Sequence, residues 1–118
     1  MQKLTISIEN NQQTANLSVV HFEGAFDGGM KESLVSLEDL IQKTPKGSTI
    51  IFDFKKLDYL NSYAIGQLVA WQNHLLKNDG QIIIAALNKN VEDILSILGI
   101  SNLFKIFPDI DSAVNSLK

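Results

Sequence analysis

Ser62 is the residue of this sequence whose side chain and position best suit chemistry. It follows residues 50–54, which are apolar apart from Asp53 and typical of a buried strand, and it precedes Ile65, Leu68 and Val69, whose spacing indicates the apolar face of a helix. A side chain at the start of a helix lies beside unpaired backbone N–H groups and the positive end of the helix dipole. The sequence therefore predicts that the Ser62 hydroxyl either caps the helix or lies where negative charge is stabilised.

Asp27 and Asp53 are the other side chains that could carry chemistry. Asp27 lies in a predicted glycine-containing loop at residues 24–29, and we interpret it as a brace of that loop because no base or second carboxylate is visibly paired with it. Asp53, near a predicted strand end, suggests the phosphoacceptor of a response-regulator receiver. That fold needs acidic residues after its first strand to hold magnesium, and Asn10 and Asn11 stand there instead. The receiver interpretation is therefore disfavoured.

No pattern in the sequence predicts a catalytic, metal or cofactor site. His21 and His74 lie far apart without metal-ligand spacing, so we interpret each as an ordinary surface or packing residue. The glycine pair at residues 28–29 lacks the spacing of a dinucleotide-binding or phosphate-binding loop. A nucleophile, a base and a group that orients the base are not visible as a set. We therefore expect a non-enzymatic protein without a bound cofactor.

Composition indicates one soluble domain. The sequence has 118 residues, of which 45% are hydrophobic and 19% are charged, enough to bury a single core. The net charge is −3 and the lysines are not clustered, which argues against nucleic acid as a partner. The absence of cysteine and of any long apolar run predicts a cytoplasmic protein that does not insert into a membrane.

Hydrophobic periodicity predicts strands and helices in alternation after an initial strand pair. Strands are expected at residues 3–9, 17–23, 50–54 and 81–86, with a short strand or extended segment at 103–106. Helices are expected at residues 30–41, 62–76, 91–98 and 110–117. The order β-β-α-β-α-β-α-β-α implies an α/β fold with a mixed four- to five-stranded sheet and about four helices, in one domain over residues 1–118. Candidate functional loops at strand ends are residues 24–29 and 57–62.

Five segments resemble the STAS domain family, and within it the stand-alone anti-sigma factor antagonists of bacteria. They are residues 24–27 (Gly-Ala-Phe-Asp, where the family usually has Gly-Glu-Leu-Asp), 51–54, 60–66 (Leu-Asn-Ser-Tyr-Ala-Ile-Gly), 79–80 (Asp-Gly) and 97–104 (Ile-Leu-Gly-Ile-Ser-Asn-Leu-Phe, where the family has Leu-x-Gly-Leu-x-x-Leu-Phe). The combination covers nearly the whole chain, and it implies a single STAS-like domain.

The resemblance implies a partner-switching function. The family's Asp-Ser-x-Gly-Leu-Gly motif carries a serine that a cognate serine kinase phosphorylates, and the matching residue is Ser62. The unphosphorylated protein would bind that kinase, which is commonly the anti-sigma factor itself, and the phosphorylated protein would release it. A serine phosphatase would reset the cycle. The partner-binding surface implied by the match consists of Asp27, Asn61, Ser62 and Tyr63.

The motif around Ser62 departs from the family pattern at three positions. Asn61 stands where the family has aspartate, Tyr63 is bulky where small residues are common, and Ala64 replaces a glycine. These departures motivate an alternative from another class, a STAS subunit of a stress-sensing or transport complex that is not phosphorylated.

Overall fold

The computed structural model describes residues 4–10, 16–29 and 31–117, which form a five-stranded sheet and four α-helices. The strands are β1 (Leu4–Asn10), β2 (Leu17–Phe26), β3 (Thr49–Leu60), β4 (Gln81–Ala85) and β5 (Lys105–Phe107). The helices are α1 (Val35–Lys43), α2 (Ser62–Lys77), α3 (Lys89–Ile97) and α4 (Ile110–Asn115), with 3₁₀ turns at Lys31–Leu34 and Ser101–Leu103. The predicted element order and α/β class are confirmed.

The five strands lie side by side in chain order. β1 pairs antiparallel with β2, where Ile6 is opposite Phe22, and each of the other neighbouring pairs is parallel. Parallel neighbours need a crossover connection between them, and α1, α2 and α3 supply these connections. The predicted mixed sheet is therefore confirmed, and β1 lies at one edge of it.

Helices cover both faces of the sheet, so the central strands are apolar on both sides. The larger cluster of buried side chains joins α1, α2 and α3 to one face, and the smaller cluster joins α4 to the other. Ile50 and Phe52 of β3 belong to the larger cluster, whereas Ile51 between them belongs to the smaller one. This two-sided burial explains why β3 starts with consecutive apolar residues rather than an alternating pattern.

Aromatic rings fill the centre of the larger cluster. The ring centroids of Phe22 and Phe52 lie 4.9 Å apart, and Phe54 meets Phe22 edge to face at 5.1 Å. Trp71 of α2 stacks on Phe26 at 5.9 Å and is 6% exposed. These contacts favour a tightly packed interior, since offset and edge-to-face ring pairs add to the free energy gained from burial alone.

The bounds of β2 and β5 differ from the sequence prediction. The loop predicted at residues 24–29 starts later, because β2 continues through Gly24, whose φ of 102° suits glycine, and ends at Phe26. The last strand was predicted at residues 103–106, but β5 comprises Lys105–Phe107 because a 3₁₀ turn takes up the preceding residues. Residues 24–26, predicted as part of a loop, thus belong to β2 and pair with β3.

β3 is the largest departure from prediction, since it continues past Phe54 to Leu60 instead of turning. Its pairing with β2 shifts register twice in this extension, and each shift marks a β-bulge. Leu57 and Leu60 are buried at three-residue spacing as a result. The bulges thus remove the period-two pattern by which a strand is recognised.

Two asparagines at the start of α3, the N-cap Asn88 and the helical Asn90, stabilise the extension of β3. β4 ends at Ala85, so the β4 side of β3 has no strand partner beyond this point. There the Asn88 side chain donates a hydrogen bond to the carbonyl of Leu57, and the Asn90 side chain donates one to the carbonyl of Asp58 at 3.1 Å. Side-chain amides therefore donate hydrogen bonds to carbonyls that would otherwise accept from the backbone N–H groups of a neighbouring strand.

Candidate functional site

The start of α2 is fixed by Asn61, which is the N-cap of the helix. Asn61 has an extended backbone, its Oδ1 accepts a hydrogen bond from the Ala64 N–H at 3.2 Å, and its carbonyl accepts from the Ile65 N–H at 3.0 Å. Ser62 is consequently the first helical residue. The interpretation of Ser62 as the cap is wrong by one residue, because asparagine caps helices as well as serine does and already satisfies the backbone donor.

Asn61 also ties the helix to the loop that follows β2. Its Nδ2 donates a hydrogen bond to the Asp27 carbonyl at 3.1 Å, and its backbone N–H donates to the Phe26 carbonyl at 3.3 Å. Within the loop, the Asp27 carboxylate accepts from the Gly29 N–H at 2.9 Å, which is the bracing role predicted for it. An aspartate at position 61 could cap α2 but could not donate to this carbonyl, so Asn61 gives the site a link that the usual family residue cannot make.

Tyr63, the residue after Ser62, packs against the same loop that Asn61 contacts. A Cβ built on Gly28 would lie 3.0 Å from Cδ2 of the Tyr63 ring, and the Phe26 and Tyr63 ring centroids are 6.4 Å apart in an edge-to-face arrangement. Gly28 has a φ of 89°, which a residue with a side chain adopts only under strain. The loop is therefore shaped by glycine to receive the tyrosine ring.

Ser62 is exposed between these two anchored neighbours. No hydrogen bond within the described residues uses its hydroxyl, and the first turn of α2 contains no acidic side chain. The nearby carboxylate of Asp27 is held in its own loop. The structure thus brings together all four predicted site residues, with the Ser62 hydroxyl available and a helix N-terminus that favours negative charge beneath it.

His21 is the residue whose surroundings the sequence did not reveal. The sequence predicts an ordinary surface or packing residue, but the two ring nitrogens of His21 each lie 2.6 Å from a carboxylate, Asp53 on one side and Glu9 on the other. Alternation along β1 and β2 places Glu9 and His21 on one face of the sheet, and this was the available signal. The pairing with Asp53 depends on the β2–β3 register, which periodicity does not specify.

Two structural features are absent from the described residues. Within 4–10, 16–29 and 31–117, no group of three or more His, Asp or Glu side chains has an arrangement that could hold a metal ion. None of the helices in these ranges is long and apolar enough to span a membrane.

The fold and the site define a small α/β domain that presents a serine on the first turn of the helix after its central strand. The family model for the STAS domain matches residues 7–113, and the chain belongs to the STAS domain family. The predicted family resemblance is therefore confirmed.

Known proteins similar to this chain include one sequence relative and many solved structures. The STAS-domain containing protein PA14_20770 of Pseudomonas aeruginosa (strain UCBPP-PA14) is 29% identical over 87 residues, covering 74% of this chain and 84% of that protein. An anti-sigma factor antagonist from Mycobacterium paratuberculosis superposes with a TM-score of 0.81 at 20% identity, covering 97% of this chain and 93% of that one. The Bacillus cell fate determinant SpoIIAA in its phosphorylated form gives a TM-score of 0.72 at 17% identity, covering 97% and 100%. At these identities the structures show a shared fold.

Gly28→Ala is expected to destabilise the domain more than Gly47→Ala. Both glycines have positive φ, 89° and 83°, so both substitutions carry a backbone cost of about 1–2 kcal/mol. Only Gly28 faces a close neighbour, since a Cβ on Gly47 would meet nothing within 4 Å. Crowding against Tyr63 should add about 1 kcal/mol or more. Urea denaturation of both variants measures the difference, and equal losses of unfolding free energy would contradict the packing of the loop on Tyr63.

Proposed function

We propose that this protein is a bacterial partner-switching regulator of the anti-sigma factor antagonist type. In its unphosphorylated form it binds a serine kinase that serves as the anti-sigma factor, phosphorylation of Ser62 releases it, and a serine phosphatase restores the binding form. It acts by binding and not by catalysis. The observation that carries the proposal is the exposed Ser62 at the first position of α2, in the place of the family's phosphorylated serine.

The start of α2 can carry a phosphate without loss of the fold. A phosphoserine has roughly −1.5 to −2 charges at neutral pH. At Ser62 that charge would lie next to unpaired N–H groups of the first turn and next to the positive end of a helix that runs from Ser62 to Lys77. The first turn has no acidic residue to oppose it. Phosphorylation should therefore alter the surface while leaving the interior unchanged.

The same charge would oppose binding to a partner that covers Ser62. A phosphate enclosed in a protein interface loses its hydration, and this cost is recovered only if the partner supplies a cation or hydrogen-bond donors. Asn61, Tyr63 and the Asp27 loop would surround the serine in such an interface, and hydrogen bonds and ring packing hold them in fixed positions relative to it. A rigid surface with one modifiable hydroxyl at its centre suits a switch between bound and released states.

The departures from the family motif are compatible with this proposal. Asn61 keeps the capping hydrogen bond, Tyr63 fills the space above Gly28, and Ala64 is fully buried in the core beneath the helix. None of these changes covers the Ser62 hydroxyl. The anti-sigma factor antagonist from Mycobacterium paratuberculosis, and SpoIIAA, which is named as an anti-sigma factor antagonist in its unphosphorylated form and also has a phosphorylated form, support the proposal through their fold.

Phosphorylation by a serine kinase of the anti-sigma type from the same genome tests the proposal. Incubation with the kinase and ATP, followed by intact-mass measurement, should show addition of one phosphate to the wild-type protein and none to Ser62→Ala. Ser36→Ala is the matched control because Ser36 is an exposed serine in the first turn of α1, outside the site. Peptide mapping should place the phosphate on Ser62.

Two outcomes would contradict the proposal. If the wild-type protein forms a complex with the kinase but remains unmodified, the chain is better explained as an assembly subunit that is not phosphorylated. If Ser62→Ala is modified as fully as wild type, another residue is the acceptor.

A further inference from the structure

A charged cluster bridges three strands on the sheet face opposite α1, α2 and α3. The His21 ring, on β2, lies between two carboxylates: its Nδ1 is 2.6 Å from Oδ2 of Asp53 on β3, and its Nε2 is 2.6 Å from Oε2 of Glu9 on β1. The side chain of His21 is 32% exposed, that of Asp53 13% and that of Glu9 68%. One imidazole thus connects the edge strand to the central strand.

Only the protonated ring can make both contacts as hydrogen bonds. A neutral imidazole has one N–H, so its second nitrogen would place a lone pair against a carboxylate oxygen. Burial of the ring lowers its pKa, but the hydrogen bonds to Glu9 and Asp53 and their negative charges together outweigh burial, and the pKa of His21 is raised above its ordinary value. The geometry and the charge balance therefore both favour an imidazolium.

Asp53 extends the cluster to the first irregularity of β3. Its other oxygen, Oδ1, accepts a hydrogen bond from the backbone N–H of Lys55 at 3.0 Å. Lys55 lies where the β2–β3 register first shifts. It stands between Asp53, which pairs with His21, and Lys56, which pairs with Glu23. The imidazolium thus contacts, through one carboxylate, the bulge from which β3 extends toward Ser62.

Other charged groups face the cluster from each neighbouring element. Glu23 of β2 and the lysines at positions 55 and 56 of β3 line an open depression of about 310 Å³ beside the ring, together with Ser7 of β1. Asp111 of α4 and Asp109, the N-cap of that helix, line a second depression that includes Asp53 and Lys55. The lysines counter some of this negative charge, but they are exposed, whereas Glu9 and Asp53 contact the ring directly.

We propose that His21 is a proton-dependent clamp that holds the edge strand β1 and the bulge of β3 to β2. The clamp is closed when the imidazole is charged and opens on the Glu9 side when it loses its proton. Glu9 is the carboxylate that leaves the imidazole, because its side chain is mostly exposed and can be hydrated. Asp53 is more enclosed and keeps its hydrogen bond from the Lys55 N–H.

The direction of the pH effect follows from the raised pKa. A histidine whose folded-state pKa exceeds its unfolded value of about 6.5 contributes its full stability below that value, where both states are protonated. The contribution is lost as pH rises through the folded-state pKa. Over this window the unfolding equilibrium constant can change by at most about tenfold per pH unit for one group.

Proton NMR titration and amide exchange of wild type, His21→Gln and Glu9→Gln test the clamp. In wild type, the His21 ring should titrate above the ordinary histidine value of about 6.5, and Glu9→Gln should shift that midpoint downward. Amide protection factors of Leu4–Asn10, corrected for intrinsic exchange, should fall across the same midpoint in wild type and be independent of pH in His21→Gln. His74→Gln changes the other histidine of the chain, which lies on α2, and should preserve the wild-type response.

The proposal is overturned if the His21 ring titrates at or below the ordinary histidine value. It is also overturned if β1 protection shows the same pH dependence in wild type and in His21→Gln. Because the Glu9 side chain is mostly exposed, Glu9→Gln retains a folded domain for the titration even if His21→Gln does not fold.

Discussion

Ser62→Asp is expected to weaken binding to the cognate serine kinase by about tenfold or more, equivalent to about 1.4 kcal/mol of binding free energy. The substitution adds a negative charge at the centre of the proposed interface, where binding would remove its hydration. The fold should tolerate the change, because a carboxylate in the first turn of α2 interacts favourably with the helix dipole. Surface plasmon resonance measures the affinity, and thermal denaturation should show that the variant is at least as stable as wild type.

Two controls separate charge from shape and position in this experiment. Ser62→Asn has nearly the same size as Ser62→Asp without its charge, so it should retain most of the affinity. Ser36→Asp adds a charge to the start of α1 instead of α2 and should bind like wild type. If Ser62→Asp and Ser62→Asn bind equally well, charge at this position does not control the complex and the switch is refuted.

Phe52→Ala is expected to lower the free energy of unfolding by about 3–5 kcal/mol. Phe52 is fully buried in the middle of β3, and its ring lies within 4.9 Å of Phe22 and 6.0 Å of Trp71, measured between centroids. Removing the ring leaves a cavity that these rigid neighbours cannot fill without leaving their own contacts. Since domains of this size have about 5–15 kcal/mol of stability in total, the substitution should remove at least about a fifth of it.

Equilibrium denaturation in urea measures this loss, with Val35→Ala as the control. Val35 is an apolar residue on α1 that is 63% exposed, so its truncation should change the unfolding free energy by less than about 0.5 kcal/mol. Similar effects of the two substitutions would mean that Phe52 is not in the packed interior that the sheet and α2 enclose.

The fold could be predicted because its strands and helices have clear hydrophobic periodicity. Ile6 and Ile8 alternate with polar residues and predict a strand at a sheet edge, whereas the continuous apolar residues 50–52 predict a strand covered on both faces. These local patterns follow from burial, and burial is what the sheet and its helices provide. The order of strands and helices along the chain, and the mixed character of the sheet, could therefore be inferred from the sequence alone. The order of the strands within the sheet was not needed for this.

The extension of β3 could not be predicted in the same way. Beyond Phe54, Lys55 and Lys56 end the apolar run, and the sequence predicts a loop at residues 57–62. The segment is a strand because it pairs with the end of β2 and because Asn88 and Asn90 satisfy its carbonyls from α3. These contacts join residues distant in sequence, so no local pattern reveals them.

The start of α2 was predicted to within one residue. Ser62 and Asn61 are both suitable helix caps, and the choice between them depends on a hydrogen bond from the Asn61 side chain to the Asp27 carbonyl. That bond exists because α2 begins beside the end of β2. The association of Asn61, Tyr63 and Asp27 with Ser62 was implied by the family resemblance, and the hydrogen bonds and ring contacts give a physical reason for it.

His21 shows the opposite limit of sequence-based inference. Its neighbours in sequence, Val20 and Phe22, indicate only a strand, and the nearest carboxylate along the chain, Glu23, is not the one that it contacts. Glu9 and Asp53 reach it from two other strands through the pairing register. Clusters of charge assembled across a sheet require the register, and the register is a property of the folded chain.

Calorimetric titration shows whether phosphorylation of Ser62 controls binding, when the kinase is titrated with the phosphorylated protein and, separately, with the unmodified protein. Both titrations should be done in the same nucleotide and salt conditions, with the site of modification verified by peptide mapping. The unmodified protein is expected to bind with a measurable heat, and the phosphorylated protein at least about tenfold more weakly, since its charge exceeds that of aspartate. Equal affinities of the two forms would contradict the assignment of Ser62 as the switch.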